Sequence, residues 1–147
     1  MLDPNLLLLI TTIVLALAYA YATGLNDAAN AIATVVSTRV LSPMAAVAMG
    51  GVMNLVGALT GTAVAKTIGK GIVDPEYMSQ IAVLSAIFAA VVWVIAATRF
   101  GFPVSVSHSL VAGVLGAGIA TAGISRVNDA VITKVLLALA FSPFLGF

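Results

Sequence analysis

The stretch ATGLNDAANAIATVV, Ala22–Val36, decides how this chain is read. It sets Asn26, Asp27 and Asn30 in the middle of sequence that is otherwise apolar. A charge at the centre of a bilayer costs at least ~2.5–3.5 kcal/mol on insertion scales, so an ionisable residue there marks a functional site by default. In helical geometry Asn26 and Asn30 share a face at i, i+4, with Asp27 beside them. Together they offer carboxylate oxygens, amide oxygens and amide N–H donors. Hard oxygen ligands suit Na⁺, and a lone aspartate also suits a proton. Gly24 just before the cluster permits a break in the helix, which would add freed backbone carbonyls. The competing reading makes Asp27 a helix end at the interface, with Leu6–Gly24 as the whole span.

The rest of the chain supports a membrane setting. Of 147 residues, 62% are hydrophobic and 7% charged, where a soluble domain carries about 25% charged residues. Mean hydropathy is +1.20. The net charge of +1 gives no polybasic surface for nucleic acid, and the lack of cysteine excludes disulfides and thiolate chemistry. The N-terminus, MLDPNLLLL, has Asp3 where a secretory leader would be basic. Leu6 onward therefore reads as a retained transmembrane helix.

A bilayer core of ~30 Å needs ~20 apolar residues in helical form. Uncharged runs cover Leu6–Gly24, with Ala28–Thr38 as a shorter continuation, then Met44–Ala65, Tyr77–Thr98 and Phe100–Ser125. A last apolar run, Val135–Phe147, follows Lys134. The expected fold is an all-α integral membrane protein, a single transmembrane domain over 1–147. It has about five hydrophobic segments, some of them broken or re-entrant. Arg39 and Arg99 against Lys66, Lys70 and Arg126 leave its orientation open. Small-residue stretches at Gly50–Ala65, with Gly57 and Gly61 as a GxxxG, and at Gly113–Gly123 predict close helix packing.

A second constellation is RFGFPVSVSHSLVAG, Arg99–Gly113. Gly101 and Pro103 break the chain, and Ser105, Ser107, His108 and Ser109 precede a new apolar helix. This pattern predicts a helix N-terminus capped by serine. Free N–H groups, the positive end of the dipole and hydroxyls together bind anions. His108, the only histidine, would donate to an anion or titrate near neutral pH. The alternative is a plain cap at the membrane surface. A cation cluster and an anion-binding helix end, both interrupting apolar runs, form the physical plan of a secondary transporter. A channel would instead use rings from a symmetric oligomer.

Asn128-Asp129-Ala130 echoes Asn26-Asp27-Ala28, but in a polar stretch before a helix, where Asp129 reads as a cap or first-turn acid. No enzyme signature is present, neither P-loop, HExxH nor GxSxG. Adjacent Ser and His on one helix do not face each other.

On the two constellations the chain resembles the inorganic phosphate transporter family, the sodium- or proton-coupled Pit type. GLNDAANAIATVVSTRVLSP (Gly24–Pro43) is similar to its Asn-Asp signature, GFPVSVSHSLVAGVLGAGIA (Gly101–Ala120) to its Pro-Val-Ser-Thr-Thr-His segment, and KVLLALAFSPFLGF (Lys134–Phe147) to the helix that follows. The resemblance implies one half of an inverted-repeat transporter moving inorganic phosphate by alternating access, with Na⁺ or H⁺ as coupling ion and no other cofactor. It implies phosphate contacts from Asn26, Asn30, Ser105, Ser107, His108 and Ser109, and a Na⁺ or proton site from Asp27, Asn26, Asn30 and Thr34. The partners implied are the lipid bilayer of a cell membrane and a second repeat, from another chain or a copy of this one. Val106 stands where the family has a hydroxyl residue, which opens another oxyanion, such as sulfate, as an alternative cargo. The remaining alternative is a non-transporting membrane subunit or degenerate half-transporter that packs against a partner.

Overall fold

The computed structural model describes residues 3–62, 66 and 71–145, and those residues are almost wholly helical. The first helix, α1, runs over Pro4–Ser37. Asp3 caps it, accepting from the Asn5 N–H at 2.9 Å, and Pro4 stands where its missing N–H costs nothing. At 1.5 Å per residue α1 is ~51 Å long, well beyond a ~30 Å hydrocarbon core. The runs Leu6–Gly24 and Ala28–Thr38 are thus one helix, and the expected break at Gly24 is absent. A single glycine costs only about 1 kcal/mol in a helix interior. The polar side chains beyond it find partners on another segment rather than in their own backbone.

After Ser37 the chain turns through a two-bond C-terminal motif, Arg39 N–H to Val36 O at 3.1 Å and Val40 N–H to Val35 O at 3.1 Å. Arg39 holds a φ of 58°, the left-handed position that glycine usually takes. Ser42 then caps α2 (Pro43–Thr60), which folds back along α1 so that a Cβ added to Gly50 would stand 3.6 Å from Ile32. The second span was expected to reach Ala65. Its helix stops at Thr60, with Gly61 extended, and Ala63–Ala65 lie outside the described residues, as does Lys70. Gly57 and Gly61 meet no other helix among the described residues, so the packing expected of that GxxxG is not made here.

The third helix, α3 (Gln80–Arg99), starts at the Ser79 cap rather than at Tyr77, because Pro75–Tyr77 forms a separate 3₁₀ turn capped by Asp74. It buries Ala82, Ala86, Ala90, Val94 and Ala97, a narrow stripe of mostly alanines at helical spacing. Small side chains there let α4 (Val106–Ala122) approach closely from one side. A Cβ on Gly113 would stand 2.6 Å from the Ala86 carbonyl oxygen, and one on Gly118 would collide with Val73. α3 and α4 form an antiparallel hairpin whose tip is Phe100–Ser105. The run Phe100–Ser125 is therefore α-helical only from Val106 to Ala122, and its last residues enter a 3₁₀ turn, Ile124–Arg126.

On its other side α3 packs along α1. Tyr19, Ala22, Val94 and Val106 form one apolar cluster, and Asn26 reaches Thr98. Four residues further along each helix the contact repeats, so α1 and α3 run in the same direction. At the opposite end of the hairpin, Val73 bridges to Val127 and the Asn128 N–H bonds Ile72 O at 3.0 Å. The Arg126 guanidinium lies 4.4 Å over the Tyr77 ring. Asn128 caps α5 (Asp129–Leu145) through the Val131 N–H at 3.2 Å, with Asp129 in its first turn. α5 thus begins before Lys134, not after it.

The chain exposes 10319 Å², where a compact soluble monomer of this mass would expose ~7,000 Å². Leucine, valine and phenylalanine side chains line that surplus on α1, α2 and α3. These three helices are long and apolar enough to cross a membrane.

Replacing Gly113 with alanine should push α3 and α4 apart and lower stability by about 1–3 kcal/mol. Gly116→Ala, where nothing lies within 4 Å, should cause no loss. Thermal unfolding of the two variants in detergent makes the comparison.

Candidate functional site

The hairpin tip is built by two caps in succession. α3 ends with Gly101 N–H on Thr98 O at 3.2 Å and Phe102 N–H on Ala97 O at 2.9 Å. Gly101 takes a φ of 72°, which this motif requires and which glycine adopts without strain. The chain then runs through Pro103 to Ser105, the N-cap of α4. Ser105 Oγ accepts from the His108 N–H at 3.4 Å, and Ser109 Oγ donates to Ser105 O at 2.9 Å. The N–H groups of Val106 and Ser107 find no acceptor among the described residues. They are the free donors of a helix N-terminus.

Asn26 fastens this tip to α1. One end of its amide lies 2.9 Å from Thr98 Oγ1, a contact between residues 72 positions apart. The other end lies 3.2 Å from Asp27 Oδ1 and 3.3 Å from Val104 O, both of them acceptors. With the carboxylate free, the amide nitrogen must face those two oxygens, and the amide oxygen accepts from the Thr98 hydroxyl. Tyr19 adds a second tie, its hydroxyl donating to Val106 O at 2.9 Å. Backbone carbonyls do join the polar cluster, but they come from the hairpin tip and not from a break in α1.

Two pockets adjoin the tip, and Val104 borders both. One, of about 280 Å³, is lined by Asn26, Asn30, Thr98 and Gly101–Val104. The other, of about 590 Å³, lies along the hairpin and is lined by Trp93, Ser105, His108, Ser109 and Gly113 among others. Val104 thus stands between a pocket bordered by Asn26 and Asn30 and one bordered by Ser105, His108 and Ser109. Ser107 is exposed and lines neither pocket. Asp27, Asn30 and Thr34 point outward from α1, and Thr34 lies a turn beyond the tip. No three His, Cys, Asp or Glu side chains converge on a metal-sized site among the described residues. Val106 is 4% exposed and packs in the Ala22–Val94 cluster. The hydroxyl missing at that position is therefore missing from the core, not from either pocket.

Sequence reasoning did not find Thr98, the Val104 carbonyl or Trp93. Thr98 sits at the end of an apolar run beside Arg99, and no local spacing links it to Asn26. A carbonyl has no signature in sequence at all.

Residues 23–147 match the phosphate transporter family. A protein of Bacillus subtilis (strain 168), named "Probable low-affinity inorganic phosphate transporter", is 42% identical over 99% of this chain and 44% of its own length. One of Streptomyces halstedii with the same name is 41% identical over 98% of this chain and 69% of its own. A solved structure, "The sodium-dependent phosphate transporter", superposes with a TM-score of 0.89 at 36% identity, covering 95% of this chain and 36% of that one. The chain spans less than half the length of the Bacillus relative.

Asn26→Ala should cost about 0.5–1.5 kcal/mol of stability, since it removes the hydrogen bond to Thr98 and loosens the hairpin tip from α1. Asn30→Ala should cost nothing measurable, because the Asn30 side chain has no hydrogen bond among the described residues. Both are read from thermal melts in detergent.

Proposed function

The chain belongs to the phosphate transporter family, and from that premise we propose that it moves inorganic phosphate across a membrane by alternating access, coupled to Na⁺ or H⁺. It is a multi-pass membrane protein. The observation that carries the proposal is the meeting of the Asn26–Asn30 stretch of α1 with the hairpin tip that leads into α4. If α1 is centred in the bilayer, Asn26 lies ~8 Å from the midplane and Asn30 ~14 Å, both within the hydrocarbon depth.

Phosphate carries one or two negative charges and does not enter that depth uncompensated. The free N–H groups of α4, with Ser105, Ser107, His108 and Ser109, supply donors and a positive dipole end. Asn26 and Asn30 approach the tip from α1. Asp27, with Asn26, Asn30 and Thr34, holds the Na⁺ or proton that offsets the anion's charge. Asp27, Asn30, Thr34 and Ser107 all open outward from the chain. A second repeat, from another chain or an inverted copy of this one, would close the site over them, with lipid covering the apolar remainder. That openness is also what a non-transporting subunit would show while it waits for its partner, so transport itself has to be measured.

Radiolabelled phosphate uptake into proteoliposomes holding this chain alone, under a Na⁺ gradient and then a pH gradient, is the direct experiment. Uptake under either gradient is the expected result where an inverted copy closes the site; where the second repeat belongs to another chain, uptake appears only when that chain is supplied. Asp27→Asn should abolish coupled uptake while protease protection still shows an inserted protein. Cation-driven uptake surviving in Asp27→Asn would remove Asp27 from its role. Replacing Ser105 and His108 with alanine should raise the phosphate KM about tenfold. No effect of that pair on any transport would favour the non-transporting reading.

A further inference from the structure

Tyr19 makes a contact for which the transport reading has no use. It stands near the middle of α1, half-buried against the Ala22, Val94 and Val106 cluster. Its hydroxyl donates to Val106 O at 2.9 Å, across 87 positions of chain. A phenol at hydrocarbon depth needs an acceptor inside the protein, and the carbonyls of its own helix are already engaged. Val106 O lies in the first turn of α4, and its two lone pairs let it serve the phenol and the helix together. Val106 is also 4% exposed, so its side chain and its carbonyl are both held by the body of the molecule.

Two effects on α4 come from this one bond. At about 100° per residue, Ser105, His108 and Ser109 fall on one flank of α4 and Val106 lies off it. Ser105, His108 and Ser109 line the pocket of about 590 Å³. Holding Val106 inward therefore sets the rotation of α4 that keeps those three side chains on the pocket. The second effect is electronic. Val106 C=O and Ser107 N–H belong to one peptide unit, and a hydrogen bond accepted at the carbonyl polarises the unit and strengthens its N–H as a donor. The Ser107 N–H has no acceptor among the described residues.

We propose that Tyr19 is a positioning residue for the phosphate site, acting from α1 through the Val106–Ser107 peptide to fix the rotation of α4 and to strengthen the Ser107 N–H as a donor to the anion. The proposal rests on the transport reading and deepens its anion side. A phenol suits the task because it brings a donor without a charge, and a cationic residue at that depth would be costly to insert. Tyr19→Phe keeps the ring in its cluster and removes only the hydroxyl. It should raise the phosphate KM about three- to tenfold while the maximal rate holds, the pattern of a lost binding contact. A fluorine beside the hydroxyl makes the phenol more acidic and a stronger donor, so 3-fluorotyrosine at this position should lower KM below that of the wild type.

The experiment has two readouts on the wild type, Tyr19→Phe and the fluorotyrosine protein. One is the KM and maximal rate of inorganic phosphate uptake in proteoliposomes, with the second repeat supplied where uptake requires it. The other is the amide proton shift of Ser107 in the chain isotope-labelled at its serine nitrogens, taken in detergent without phosphate. The expected result is a raised KM with an upfield Ser107 shift in Tyr19→Phe, and the opposite change in both for fluorotyrosine. The fluorotyrosine protein carries the test alone if the phenylalanine variant does not fold. A tyrosine that only fills space predicts that fluorotyrosine leaves KM and the Ser107 shift at wild-type values, and that result overturns the proposal. A Ser107 amide unmoved in Tyr19→Phe, or an unchanged KM beside a moved amide, overturns it as well and leaves transport standing. A moved amide in a protein that takes up no phosphate in any form overturns the transport reading and leaves the coupling between Tyr19 and the peptide.

Discussion

One amide holds the functional end of this molecule together. Asn26 spans three elements, with Thr98 at the end of α3, Val104 in the hairpin tip and Asp27 on its own helix. Besides the Tyr19 hydroxyl on Val106 O, little else fastens the tip to α1. The nearby apolar cluster is small, made of Ala22, Val94 and Val106 with Tyr19 against it. A polar contact in a low-dielectric setting is strong when every group in it is paired and costly when one is not. The hairpin tip is therefore held by a contact that responds to charge.

Elsewhere the fold relies on close approach rather than on bulk. α3 presents alanines at helical spacing, and α4 answers with Gly113 and Gly118 at the points of nearest contact. Helices in lipid gain nothing from hiding apolar surface from one another, so packing at short range must do the work. The large side chains face outward instead, as Leu17, Val52, Met53 and Trp93 do. The result is a thin assembly with two tightly fitted contacts, α1 on α3 and α3 on α4. α2 leans on α1, and α5 is nearly free among the described residues.

Residue by residue, the legible parts of the sequence were those with local causes. Ser105 reads as a helix cap from its place before an apolar run, and it is one. Asp129 reads as a first-turn acid and is one. Helix limits were less legible. The run from Leu6 looked divisible at Gly24, and α1 passes through it unbroken, because one glycine without a proline is too small a penalty to end a helix. The Gly57–Gly61 pair looked like a packing face and meets no neighbour among the described residues, while Gly113 and Gly118 do the packing.

The sequence by itself determined that this is a multi-pass helical membrane protein, since hydrophobic length and scarcity of charge are properties of composition and order. It also determined that Asn26, Asp27 and Asn30 on one segment, and Ser105 to Ser109 on another, are where polar chemistry interrupts the apolar chain. Only the tertiary structure decided that the two stretches meet, that Thr98 and the Val104 carbonyl stand between them, and that Val106 belongs to the core. Those facts depend on how α1 lies against the α3–α4 hairpin. That alignment is set by alanines, glycines and one amide acting across 72 positions of chain, a distance over which no local pattern carries information.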